Sequence, residues 1–230
     1  MSVDLVPVIF DFDGVLIESE LAGNRQLGEA LTELGHPTDL KTAIVRFMGL
    51  SGTNFRAAVE AYIGGAIPAR FDELRRIEDE RVMRDGLDPV PGAIAFLDGL
   101  EAHRPRAIAS SSSTDWILTH LSHLGRRDRF RDLIFSGKEH VENGKPAPDL
   151  YLHTAKRLGR PPGDCFVIED SPTGVTAARA AGTFVCGLVA GSHCLPDHAD
   201  RLRAAGADLI AESYDEVAGH LTRFEEGRDR

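Results

Sequence analysis

Cysteine is scarce in this 230-residue chain: Cys165, Cys186 and Cys194 make an odd, sparse set that excludes a disulfide framework. Tryptophan occurs once, at Trp116. No apolar run approaches the ~20 residues that a membrane span requires. Cations are outnumbered, with 26 Lys and Arg against 36 Asp and Glu and a formal charge of −10. That balance argues against nucleic acid or an anionic membrane as partner, because both demand clustered cations. An anionic small molecule stays open, since a few local cations or a metal can reverse the field within one site. The opening stretch MSVDLVPVIF carries an early acid and no basic region, so it reads as a first core strand and not as a signal peptide. A cytoplasmic location is expected. There is no internal repeat, and the one low-complexity run is the tetraserine Ser110–Ser113.

What is present is ordinary for a globular protein: 42% hydrophobic and 27% charged residues. A chain of this length buries roughly 70% of its unfolded surface, enough for a self-sufficient core. Val6–Phe10 is a continuous apolar β-type run, the pattern of a strand covered on both faces. From about Leu21 to Gly86 the spacing turns helical, in roughly four segments, three of them ending at glycine. The stretch DPVPG, Asp88–Gly92, reads as the return hinge. Beyond it strands alternate with helices: strands near Arg106–Ala109, Asp132–Ser136, Cys165–Ile168, Phe184–Val189 and Ala207–Ile210. The expected fold is α/β, a doubly wound, mostly parallel sheet formed by 1–16 and 90–230, with a helical cap, 17–89, inserted after the first strand.

In such a sheet ligands bind outside the carboxyl ends of the strands. The first apolar run ends in Asp11 and Asp13, the second in Ser110 and the serines after it, the fourth in Glu169 and Asp170. The loop after the third holds Lys145, in NGKPAPD. Carboxylates gathered on one rim repel each other and lose solvent at a cost, and a divalent cation is the simplest remedy. Hard oxygen ligands point to Mg2+, which also keeps water and phosphate oxygens in its shell. Lysine and serine beside it suit a phosphoryl group, and Thr114, opening a helix, adds backbone N–H donors. Asp11 is then a candidate nucleophile, and Asp13 can protonate a leaving oxygen and later deprotonate a water. Gly14 permits a sharp turn close to the ligand.

DFDGVLIESE, IASSSS, GKPAPD and IEDSPTGV, in this order with a helical insertion after the first, resemble the haloacid dehalogenase-like hydrolase superfamily. They are most similar to its branch of small phosphatases and β-phosphoglucomutases with an α-helical cap. The resemblance covers nearly the whole chain, and the ordered set is far more specific than any one motif. It implies that Asp11 is the nucleophile and Asp13 the acid/base, whose backbone carbonyl also binds Mg2+. It implies further that Ser110, with Ser111 beside it, and Lys145 contact the phosphoryl group. Asp170 would be the main metal ligand besides Asp11, and Glu169 a ligand or outer partner.

The chain departs from the branch in places. Glu18 stands where many relatives carry aspartate, and reads equally as a substrate-facing residue or as a solvated acid near a helix start. Where relatives resembling the mutases often have histidine early in the first cap helix, this chain has Gly23. Their cap-loop arginine has no match in MGLSGTNF: Gly52 stands there, and Arg56 is the nearest cation. A mutase must hold a second phosphate on its cap, so a hydrolase of a small phosphorylated metabolite, a sugar phosphate by expectation, is favoured over a mutase. A 2-haloacid dehalogenase and a phospho-aspartate signalling module are the remaining alternatives. Asn24, Arg25, Thr53, Asn54 and Arg56, with Glu18, are the candidate substrate-facing residues of the cap. His120, His123 and Trp116 read as surface or packing residues, and Cys194 with His198 as an incomplete zinc pattern.

Overall fold

The computed structural model describes residues 5–48, 50 and 52–228. The chain divides into two compact units, Ser19–Leu87 and the remainder on either side of it. The first strand, β1 (Val8–Phe10), is fully buried, as its unbroken apolar sequence requires. The insertion follows at once, as helices α1 (Ser19–Glu33), α2 (Leu40–Phe47), α3 (Gly52–Ile63) and α4 (Ala69–Asp85). It has its own core, in which Leu27, Leu31, Ala43, Phe47, Val59 and Phe71 meet. Asp39 caps α2 by accepting from the Thr42 N–H at 2.7 Å, and α4 stops at Gly86, whose φ of 82° suits glycine.

The second crossing begins with α5 (Ala93–Gly99), β2 (Arg106–Ser110), α6 (Thr114–His123) and β3 (Ile134–Ser136). Then come α7 (Asp149–Leu158), β4 (Phe166–Glu169), α8 (Pro172–Ala180), β5 (Phe184–Leu188), α9 (His198–Ala205), β6 (Leu209–Ala211) and α10 (Tyr214–Arg228). All strand pairs are parallel, in the order β3-β2-β1-β4-β5-β6. Val8 is in register with Arg106 on one side and Phe166 on the other. One face of the sheet packs Ile9, Phe135, Val167 and Val185 against Leu150, Tyr151, Val175 and Ala178 of α7 and α8. On the other, Phe10 meets Phe130 and Phe96 edge-on.

The chain reverses its winding at β1, so the carboxyl ends of β1, β2 and β4 open onto one crevice. The boundary of the insertion falls at 18/19 and 87/88, inside the expected 17–89. Ile17 bridges to Pro89, and the Glu18 N–H donates to the Asp88 carbonyl at 2.9 Å, which ties both residues to the sheet unit. No helix among the described residues is long and apolar enough to cross a membrane.

Candidate active site

The site begins where β1 stops. The Asp11 N–H continues the ladder, donating to the Ile168 carbonyl at 3.0 Å, and leaves its side chain buried at the rim. Gly14, at φ 75°, then turns the chain so that its N–H donates to the Ile17 carbonyl at 2.8 Å. A Cβ on Gly14 would stand 1.9 Å from Asp170 Oδ2, so glycine is needed here for space as well as for φ.

Lys145 Nζ reaches Asp11 Oδ1 at 2.7 Å and Glu169 Oε1 at 2.5 Å, with its side chain almost fully buried. Tyr151 donates to Glu169 Oε1 at 2.6 Å, and Ser171 donates to Oε2 through both its N–H and its hydroxyl at 3.1 Å. Glu169 is thereby saturated, which makes it a positioning partner of Lys145. Asp170 points elsewhere: its Oδ2 lies 3.0 Å from His193 Nε2, and its carbonyl lies 2.6 Å from His198 Nε2.

Carboxylate oxygens of Asp11, Glu169 and Asp170 lie within 4.8 Å of one another. Burial pushes the Asp11 carboxyl well up; Lys145 opposes this, and the neighbouring Glu169, Asp170 and Asp13 add to it. Burial also raises Asp170, against the relief given by His193. Burial alone would lower the Lys145 ammonium, but Asp11 and Glu169 outweigh it and hold the group well above its ordinary value. Burial would likewise lower His193, yet Asp170 and then Cys194 carry it up to about 10. Negative charge in excess of what Lys145 balances, on oxygen donors only, fits a hard divalent cation. Asp11 and Asp170, less fully engaged than Glu169, are the carboxylates suited to hold one.

Asp13 is partly exposed and faces the tetraserine loop. Ser112 donates to its Oδ2 at 2.6 Å, Ser110 is 3.4 Å from the same oxygen, and Trp116 Nε1 donates to Oδ1 at 3.0 Å. Trp116 is therefore more than a packing residue: it fixes the orientation of Asp13 from the first turn of α6. Ser111 is exposed in the same loop. The Thr114 N–H, expected to bind an anion, donates to Glu139 Oε1 at 2.8 Å instead.

Glu18 corrects its reading as a solvated acid. It is buried, and its carboxylate accepts from the Ser192 N–H and hydroxyl at 3.0–3.1 Å. In the insertion, Asn24 is buried and donates to the Glu20 carbonyl at 2.8 Å, one turn back in α1. Arg56 pairs with Asp72 at 3.0 Å on the surface, while Arg25, Thr53 and Asn54 are exposed. Gly49 and Ser51 of MGLSGTNF lie outside the described residues. Tyr151, Ser171 and His193 escape a reading by strand ends because they sit on a helix, at a helix cap and in a distant loop. Ser171 alone has a signal, the S-P-T-G start of α8 that marks a cap.

A family model of haloacid dehalogenase-like hydrolases matches residues 8–182. The chain is 30% identical over 218 residues to hexitol phosphatase A of Escherichia coli, covering 91% of each. It is 29% identical over 175 residues to the fructose-1-phosphate phosphatase YqaB of the same organism, covering 76% of this chain and 92% of that one. Among solved structures, a HAD family hydrolase from Deinococcus radiodurans R1 with bound phosphate and sodium superposes with a TM-score of 0.85. It is 32% identical, with 97% of both chains covered. Sequence and fold agree along nearly the full length, and this enzyme belongs to the haloacid dehalogenase-like hydrolase family.

Proposed function

We propose that the protein is a Mg2+-dependent phosphomonoester hydrolase, acting on a small phosphorylated metabolite such as a sugar phosphate through an aspartyl-phosphate. The observation that carries this reading is the placement of Asp11, a buried carboxylate held at 2.7 Å by Lys145 and within 4.8 Å of Glu169 and Asp170. Phosphatase activity on hexitol and fructose phosphates in its relatives supports the substrate class. The missing cap histidine at Gly23, and an Arg56 already paired with Asp72, favour hydrolysis over a mutase reaction.

An oxygen of Asp11 attacks phosphorus as the ester P–O bond breaks. Asp13, two residues on and steadied by Ser112 and Trp116, gives its proton to the leaving alkoxide. A water then attacks the same phosphorus, Asp13 takes its proton, and the P–O bond to Asp11 breaks to release inorganic phosphate. Lys145 offsets charge on Asp11 and on the transferred group, and Glu169 keeps it there. Asp11, Asp170 and the Asp13 carbonyl would hold Mg2+, which would supply neutralising charge to the phosphoryl oxygens.

A panel of phosphorylated metabolites incubated with Mg2+, reading released phosphate, tests the reading. The parent should turn over at least one sugar phosphate, and Asp11→Asn should lower kcat by roughly 10³-fold or more. Activity of the Asn variant near the parental level would overturn the nucleophile assignment.

A further inference from the structure

The loop before α9 gathers a donor set unlike the oxygen cluster beside it. His193, Cys194 and His198, in the run HCLPDH, place one nitrogen or sulfur atom each within 4.8 Å of the others. His193 and His198 are 2% and 4% exposed, and Cys194 is half-buried. The loop is tightly tied. The Cys194 N–H donates to the Gly191 carbonyl at 3.0 Å, the His198 N–H to the Leu195 carbonyl at 2.9 Å, and Ser192 is held by Glu18.

Two distances are informative. Cys194 Sγ stands 3.6 Å from His193 Nε2, and a thiolate and an imidazole on one tetrahedral zinc ion are separated by roughly the same span. His198 Nε2 meets the Asp170 carbonyl at 2.6 Å, an arrangement that puts the proton on Nε2 and leaves the Nδ1 lone pair free. That Nδ1 is buried, has no hydrogen-bond partner of ordinary geometry, and interacts with the Cys194 thiol. A backbone carbonyl behind one ring nitrogen and an available lone pair at the other is the usual setting of a metal-bound histidine.

We propose that His193, Cys194 and His198 form a second metal site, distinct from the Mg2+ site, that takes a transition-metal ion of the zinc class. Thiolate and imidazole select such an ion over Mg2+, which requires hard oxygen donors. The fourth position is left to a water. The binding forms are the thiolate and the neutral imidazoles, so affinity should fall as pH drops. The proposal stands apart from the phosphatase reading, since it needs no turnover.

The test uses the full chain stripped of metal and titrated with Co2+. One equivalent should give visible tetrahedral bands and a thiolate-to-cobalt charge-transfer band, displaced by Zn2+ and untouched by excess Mg2+. Asp11→Asn should leave the spectrum intact, Cys194→Ser should abolish the charge-transfer band, and His198→Gln should weaken binding by more than about tenfold. A parent spectrum without the thiolate band, or one that survives Cys194→Ser, overturns the site. A measurement on the parent alone guards against misfolded variants. Cys165 and Cys186 are buried, so alkylation in the folded chain reads Cys194, and Zn2+ should slow it more than tenfold. An unchanged rate sinks the proposal.

Discussion

Glu169 and Asp170 are neighbours in sequence with separate tasks. Successive side chains at a strand end point to opposite sides, so Glu169 meets Lys145 and Tyr151 while Asp170 meets His193. The sequence groups the pair at one rim but cannot divide the work, because the dividing partners come from α7 and from a loop beyond β5. The convergence of Asp11, Asp13 and Lys145 on one rim was legible because each follows a strand and falls in a short, ordered motif. His120 on α6 is a harder residue to read. It is fully buried, edge-on to Trp116 at 4.2 Å, and neither ring nitrogen has a hydrogen-bond partner. Burial lowers its pKa, so the unfolded chain binds more protons than the folded one as pH drops through about 6.5. Stability is lost in that direction. His120→Leu should match or exceed the parent by about 1–2 kcal/mol at pH 7 in denaturant unfolding, and the gap should widen at pH 5. A gap that narrows on acidification would refute the burial account.

Among the elements, the strands were the most legible, since a strand covered on both faces must be apolar throughout. Helix ends were less so: α5 stops at Gly99, where Leu100 turns to extended backbone, a stop that no proline or cap motif marks. The start of α8 joins architecture to chemistry. Ser171 caps the helix by accepting from the Gly174 N–H at 3.0 Å, and its hydroxyl also donates to Glu169. Gly174 lies directly beneath that carboxylate, and a Cβ there would stand 1.7 Å from Glu169 Oε1. The motif IEDSPTGV displays the glycine, yet no periodicity says which side chain covers it. Gly174→Ala should therefore cost about 1–3 kcal/mol and reduce activity by displacing Glu169 from Lys145. Gly65→Ala, where nothing lies within 4 Å, is the control and should stay within about 0.5 kcal/mol. Equal effects of the two in thermal unfolding would remove the steric argument.

At the scale of the molecule, a chain of net charge −10 concentrates buried carboxylates at one crevice of its sheet. That concentration makes a bound cation a stabiliser of the fold. Mg2+ at 100 times its dissociation constant should raise unfolding free energy by about 2.7 kcal/mol. Calorimetry should show the rise in the parent and little of it in Asp170→Asn; equal increments would place the ion elsewhere. Composition made the absence of a nucleic-acid partner an expectation, and alternation made the sheet one. Substrate choice was not legible, because it depends on side chains whose mutual placement no one-dimensional pattern records.

Glu18 is the last residue of the sheet unit before the insertion and Asp88 the first after it, and their backbones meet at 2.9 Å. The outgoing and returning chains are thus clasped at one point, and the Glu18 carboxylate fastens that clasp to Ser192. For protein engineering this is a splice junction. A different helical segment whose ends lie a hydrogen bond apart can be exchanged between the two residues while the catalytic rim keeps its framework.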